Sequence, residues 1–341
     1  MKFFCKNKGH TLIVVLWTIV ILSIILINLV DESSLKNLIV INNFKDKKIY
    51  QKTVSNVMTG INKLKYDEND FDSSKELWFQ PLEYKEANIT YKVVIKDVGS
   101  KLNINYTPYN VFSEFKWWNE DLKKRVNKSK RIFDFIMIQG FIDDDNVENI
   151  KRKITVMGKF NLNTDRLKAL DNLLIDLEIG NFEKNLIISY IEKKRNENYF
   201  IKVIDLQDLY LEGLSTTTFN KLKPYITDKG NLNINLVEKD IIDVIFDKEI
   251  KEEISSNFKE KLLVYRESKV IKDISQLEEI INNENCGILK KYFTVQSNYF
   301  LIKASAIKSQ EVIKEIVCTV KRYKGDKNQW EIKILKWKER R

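Results

Sequence analysis

An uninterrupted apolar run near the N-terminus constrains this chain more than any other feature. The 19 residues from Leu12 to Val30 include no charged side chain, and only Thr18, Ser23 and Asn28 among them are polar. As a helix this run would rise about 28 Å at about 1.5 Å per residue, close to the hydrocarbon thickness of a bilayer. We therefore predict a transmembrane helix over residues 12–30.

The charges on either side of this run predict its orientation. Lys2, Lys6 and Lys8 precede it and Asp31-Glu32 follow it, so the positive-inside rule places the N-terminus in the cytoplasm. No small-residue cleavage site follows the run, which separates it from a discarded secretory signal. We expect a single-pass protein of the cytoplasmic (inner) membrane whose body lies on the extracytoplasmic side.

The composition of the remaining chain favours a folded, non-catalytic body. It holds 341 residues, 43% hydrophobic, with one histidine, His10, beside the membrane segment, so a histidine-based triad or metal site is nearly excluded. The net charge of +10 comes from 58 basic and 48 acidic residues that are interleaved, as on a solvated surface. Cys286 and Cys318 would form a disulfide only if the fold brought them together, and we interpret them as small buried hydrophobes. No residue is predicted to be catalytic or cofactor-binding.

Periodicity predicts the order of the extracytoplasmic elements. Apolar residues at helical spacing over 35–64 extend the first helix, with an expected interruption near residues 42–48. β-Branched and aromatic residues predict a strand over 89–96, and alternating apolar residues predict an antiparallel meander over 298–334. A long, mostly helical region, roughly 109–291, separates them.

The leader in front of the apolar run resembles a known processing signal. A short lysine-rich segment that ends in Gly9 and leads directly into an apolar helix resembles the prepilin leader of type IV pilins and type II secretion pseudopilins. The resemblance implies that a membrane aspartyl peptidase cuts between Gly9 and His10 and methylates the new amino terminus. The apolar helix would stay in the mature chain.

Two departures from that family narrow the resemblance. His10 stands where most members have Phe, and Val14 stands where most carry a Glu that pairs with a neighbouring subunit. A missing glutamate is the mark of general secretion pathway protein K, the minor pseudopilin at the filament tip, which this chain resembles. The implied partners are other minor pseudopilins or pilins, the assembly platform and prepilin peptidase.

The resemblance implies an α+β fold: a pilin-like N-terminal membrane helix packed on an antiparallel sheet, with a large inserted helical domain. The expected segments are the leader (1–9), the N-terminal helix (10–66), the first part of the sheet (67–110), the inserted domain (111–292) and the C-terminal β-meander (293–341).

A six-residue phrase that ends in apolar-Asn-apolar-Asn occurs three times, at residues 100–105, 158–163 and 230–235, and the Asn-x-Asn endings of these copies lie at 103–105, 161–163 and 233–235. Further likeness between 158–228 and 230–295 predicts two related helical units, of helix-hairpin-helix or SAM-like type. The first unit also resembles the tandem helix-hairpin-helix domain of competence DNA receptors, which gives an alternative function in which the chain is a membrane-anchored DNA receptor. Its hairpins, at 178–181 and 212–215, each keep one glycine and add a glutamate that would repel phosphate.

Two further features allow a functional and a structural interpretation. Clustered carboxylates suit calcium, and the resemblance makes Asp143, Asp145 and Glu148 candidate calcium ligands; a helix N-cap within a solvated acidic loop fits the same residues. Trp117-Trp118 fits either an exposed contact patch or a pair divided between core and surface.

Overall fold

The computed structural model describes residues 8–129, 131–142, 144–249, 252–279, 283–325 and 329–340. Its first element is a single helix, α1 (Lys8–Lys65), of 58 residues. The expected interruption near residues 42–48 was wrong, because the helix runs through it. Neither glycine nor proline lies between His10 and Thr59, so no residue there breaks the backbone hydrogen-bond ladder.

A five-stranded antiparallel sheet follows, in the order β1-β2-β9-β10-β11. The predicted α+β architecture and the C-terminal meander are confirmed. Strand β9 pairs with β2 although the whole helical region separates them in sequence. The strands are β1 (Leu82–Glu86), β2 (Ile89–Asp97), β3 (Leu102–Asn103), β4 (Ile154–Thr155), β5 (Phe160–Asn161), β6 (Ile226–Thr227), β7 (Leu232–Asn233), β8 (Phe293–Thr294), β9 (Tyr299–Lys308), β10 (Glu311–Lys324) and β11 (Trp330–Arg340).

The C-terminal half of α1 covers one face of this sheet. Val57 and Leu64 of the helix are fully buried against Phe300 and Ile302 of β9 and their neighbours. A Cβ atom built at Gly60 would lie 2.8 Å from the Ile302 side chain, so this glycine allows the helix to approach the strand closely. We call the side that packs on α1 the inner face and the opposite side the outer face.

Each of the remaining short strands belongs to a parallel pair that closes a helical unit. Strand β3 pairs with β4, β5 with β6, and β7 with β8. The helices are α2 (Tyr109–Phe112), α3 (Glu120–Lys128), α4 (Ile136–Gln139), α5 (Val147–Lys153), α6 (Leu167–Asp176), α7 (Asn181–Asn196), α8 (Thr216–Leu222), α9 (Lys239–Glu249), α10 (Glu252–Ser268) and α11 (Asn283–Tyr292). The first Asn-x-Asn copy thus also begins such a unit, in addition to the two units expected from sequence.

The first and third units share one hydrophobic core, whereas the middle unit has a core of its own. Leu102 of the first unit and Leu232 of the third lie in one hydrophobic cluster, whereas Phe160 of the middle unit lies in a second cluster. Trp117 belongs to the first cluster, 7% exposed and stacked on Phe115, and Trp118 packs against the same cluster. The tryptophan pair is therefore part of the core of the inserted domain.

Candidate functional site on the N-terminal helix and the polar junction

The N-terminal half of α1 extends away from the folded body. Every residue from 12 to 48 is exposed, and this helix is long and apolar enough to cross a membrane. Thr18 and Ser23 donate hydrogen bonds from their hydroxyls to the carbonyl oxygens of Val14 and Ile19, at 2.7 and 2.8 Å. These two hydroxyls are thus satisfied within the helix, as a segment surrounded by hydrocarbon requires.

Gly9, His10 and Val14 occupy the first two turns of α1, and residues 1–7 lie outside the described residues. The Val14 side chain is 56% exposed on the apolar half of the helix. At the centre of a membrane helix an unpaired carboxylate would cost on the order of 3 kcal/mol on insertion scales. Val14 is the third residue of the predicted span, where the cost would be smaller. Valine avoids this cost.

A buried polar network joins the inner face of the sheet to the segment after α1. The Arg322 side chain is fully buried, and its guanidinium lies 4.8 and 4.3 Å from the ring centroids of Phe300 and Trp330. It donates to both carboxylate oxygens of Asp72 and to Asp67 at 3.0 Å. Burial raises the pKa of Asp72 to about 7, against the opposing effect of Arg322.

The carboxylates of Asp67, Asp72 and Glu76 converge in this network and form a group whose spacing would suit a metal ion. Protein donors already occupy them, because Glu76 accepts from the Ser73 amide at 2.9 Å and from the Trp78 indole at 3.0 Å. The positive charge that the group requires comes from the arginine. The network therefore acts as a structural junction, which we call the polar junction.

The predicted calcium ligands lie elsewhere. Asp143 is outside the described residues, Asp145 is exposed in a 3-10 turn, and Glu148 is exposed in α5, where it pairs with Lys151 at 2.7 Å. The last contact lies within one helical turn and is the ordinary arrangement of a solvated helix surface. Calcium binding at these three residues stays a prediction.

The Asn-x-Asn phrases have a shared role that the sequence did not reveal. The second asparagine of each copy accepts from the amide and donates to the carbonyl of one distant isoleucine. Asn105 binds Ile132 in this way, with distances of 2.7 and 2.9 Å. The pairs Asn163–Ile201 and Asn235–Ile271 repeat this contact. We call these three contacts the asparagine clamps.

The third unit also attaches to the polar junction through its asparagines. Asn233 and Asn235 both donate side-chain hydrogen bonds at 3.1 Å to the backbone carbonyl of Asp72. Asn233 donates in addition to the Ser297 hydroxyl at 3.0 Å. The inserted domain is therefore fixed to the end of α1 and to the sheet through the same few residues.

The two hairpins of the middle unit present carboxylates. Glu178 adopts a left-handed backbone with φ of 54°, a conformation that favours glycine. Glu183 accepts from the Ser215 amide at 2.8 Å and from the Thr218 hydroxyl at 2.7 Å, so its carboxylate fills the N-terminus of α8. A nucleic-acid phosphate would need that same position.

Of the three cysteines, Cys318 is a free thiol that is fully buried in β10, as expected for a small core residue. Burial raises the pKa of this thiol to about 11, which makes it unreactive. The Cys286 and Cys5 side chains lie outside the described residues.

Comparison with known proteins gives two partial likenesses. No family model matches the chain. A stretch of 159 residues, 47% of the chain, is 23% identical to the tRNA uridine 5-carboxymethylaminomethyl modification enzyme MnmG 1 of Fusobacterium nucleatum subsp. nucleatum, and covers 20% of that protein's length. Because the match covers only a fifth of that enzyme's length, it is no evidence that this chain has the enzyme's activity.

Among solved structures, the chain is similar to a chain of the GspK-GspI-GspJ complex from the enterotoxigenic Escherichia coli Type 2 Secretion System. The superposition covers 88% of this chain and 99% of that chain, at 12% identity and a TM-score of 0.38. A superposition this loose carries no argument about function.

Proposed function

We propose that this protein is a minor pseudopilin of the general secretion pathway protein K kind, a subunit of a type II secretion pseudopilus or of a type IV pilus-like filament. The observation that carries the proposal is the division of α1. Its first half is an exposed apolar helix that suits both membrane storage and filament packing, while its second half packs on an antiparallel sheet.

Two features favour the filament tip over an internal position. Val14 leaves the membrane segment without a carboxylate to pair with the amino terminus of a subunit added above. The inserted domain between β2 and β9 also adds bulk that an internal subunit of a helical filament would have to accommodate. The partners would be other minor pseudopilins or pilins, gathered with the assembly platform at the cytoplasmic membrane.

Processing by prepilin peptidase tests this proposal most directly. Co-expression with the peptidase is expected to yield a mature chain that starts at a methylated His10 and retains 12–30, as read by N-terminal sequencing and intact mass. The leader should stay attached in the Gly9→Leu variant, and also in the unmodified chain when it is expressed in cells that lack the peptidase. The proposal would be contradicted if the chain kept Met1 in the presence of the peptidase, or if it were cut after Val30.

The alternative, a membrane-anchored helix-hairpin-helix DNA receptor, is disfavoured by Glu178 in the first hairpin and by Glu183 of α7, whose carboxylate accepts from the Ser215 amide of the second hairpin. Gel shifts with duplex DNA over a salt series test it. Submicromolar, salt-sensitive binding would support the receptor and count against the pseudopilin.

A further inference from the structure

A cleft separates the outer face of the sheet from the first helical unit. It encloses about 290 Å³, near the lower limit of pockets that hold small ligands. Leu301 and Val317 form its apolar floor, and Phe133, Phe135 and Met157 line it from the helical side. The space is therefore large enough for one sizeable apolar side chain.

The wall of this cleft is held in place by an asparagine clamp. Asn105 fixes the backbone of Ile132 through two hydrogen bonds, and residues 133–135 follow directly. Asp134 reaches from this segment across to β11, where its carboxylate binds the ammonium groups of Lys336 and Lys338, the latter at 3.3 Å. The cleft is thus preformed.

A β-bulge in β11 places positively charged side chains on the opposite side of the cleft. Strand β11 loses register with β10 between Thr319 and Val320, so the side chains after the bulge change faces. Lys336, Lys338 and Arg340 consequently stand opposite outer-face residues of β10 and line the cleft. With strict alternation from Ile334, these three cations would point toward α1.

The charges that line the cleft do not balance. Among the described residues, Lys151 lines the cleft together with the three cations of β11, and Asp134 is the acidic residue of that lining. Two of the four cations also pair with carboxylates just outside it, Lys151 with Glu148 at 2.7 Å and Arg340 with Glu315 at 3.4 Å. Burial would raise the pKa of Asp134, but hydrogen bonds from Lys336 and other donors lower it to about 2, so the carboxylate is ionised at neutral pH. One carboxylate shared by two lysines leaves a positive excess that an acidic ligand would complement.

We propose that this cleft binds an extended acidic segment of a partner polypeptide. A large apolar side chain of the segment would fill the space above Leu301 and Val317, while its carboxylates would bind Lys336 and Lys338, which share the single carboxylate of Asp134. This inference goes beyond the proposed function and does not depend on it.

Fluorescence anisotropy with the full-length protein in nanodiscs tests the proposal. The probe is a fluorescein-labelled Glu-Phe-Asp-Phe-Glu peptide, with Lys-Phe-Lys-Phe-Lys as the opposite-charge control. Val317→Trp fills the cleft without a change of charge, and Lys338→Gln removes one cation. Lys333→Gln removes an exposed lysine of the same strand that does not line the cleft, and serves as the matched control.

The acidic peptide should bind and the basic peptide should not, with weaker binding at high salt. Val317→Trp and Lys338→Gln should each weaken binding roughly tenfold, the effect of about 1.4 kcal/mol, while Lys333→Gln should bind as the unmodified protein does. Circular dichroism shows whether Val317→Trp is folded; if it is not, the comparison of Lys338→Gln with Lys333→Gln decides the outcome.

Several results would overturn the proposal. Equal affinity for the two peptides, or identical binding by Lys338→Gln and Lys333→Gln, would mean that the cleft is not the site. Displacement of the peptide by inorganic phosphate at equal concentration would indicate a small-anion site. Displacement by duplex DNA would indicate a nucleic-acid surface instead.

Discussion

Asn163 makes three hydrogen bonds that alanine cannot make. Its side-chain amide donates to the carbonyls of Ile201 and Asp228 at 3.0 and 3.2 Å, and its oxygen accepts from the Ile201 amide at 2.8 Å. Each contributes a net stabilisation of about 1 kcal/mol, and the fully buried Ile201 would keep an unpaired amide. Asn163→Ala is therefore expected to lower the free energy of unfolding of the middle unit by about 3 kcal/mol.

Hydrogen exchange measured by mass spectrometry is the suitable assay, because it reports on the middle unit alone. Exchange at the Ile201 amide should accelerate roughly a hundredfold, the ratio that corresponds to about 3 kcal/mol. Asn196→Ala, at the exposed C-terminal end of α7, is the control and should change stability by no more than about 0.5 kcal/mol. Unchanged exchange at Ile201 in Asn163→Ala would refute the assignment of the clamp as a stabilising contact.

Two further predictions concern buried positions. Asp165 is buried and accepts a hydrogen bond from the Asn161 amide, and burial raises the pKa of its carboxyl to about 7. Its contribution to stability is therefore complete below about pH 4 and is lost as the pH rises through 7. Between about pH 4 and pH 8 this titration should lower the free energy of unfolding by at most about 4 kcal/mol, and Asp165→Asn should remove that decline. Urea denaturation at several pH values tests this, and the same pH dependence in the variant would show that Asp165 is not its cause. A Cβ atom at Gly230 would lie 2.2 Å from the Phe293 nitrogen, so Gly230→Ala should lower the unfolding free energy by more than about 2 kcal/mol. Gly287 of α11 has no atom within 4 Å of such a Cβ, and Gly287→Ala should raise stability by up to about 1 kcal/mol in thermal denaturation; equal melting temperatures for these two variants would contradict the packing described at Gly230.

Sequence patterns were informative where neighbouring residues determine the structure. The apolar run predicted the exposed half of α1, and period-two alternation predicted the meander formed by β9, β10 and β11. The expected helix interruption is absent because polar residues alone do not break a helix. On an exposed helix, lysine and asparagine side chains remain solvated and leave the backbone hydrogen bonds intact.

Patterns were less informative where the relevant partner is remote. The Asn-x-Asn phrase was visible as a repeat, but its partners are isoleucines 27, 38 and 36 residues away. The first copy resembles the others too little in its helices for its unit to be found from sequence. The parallel pairing of β3 with β4 identifies that unit instead.

The sequence by itself determined the elements whose cause is local: a long helix with an apolar run at one end, and strands with one apolar face. Only the tertiary structure decided the contacts between distant residues. It pairs Arg322 with Asp72, 250 positions apart, and it turns the cations of β11 outward at a bulge. The physical reason is that hydrogen bonds and charge pairs are short-ranged in space, whereas the chain distance between their partners leaves no periodic signal in the sequence.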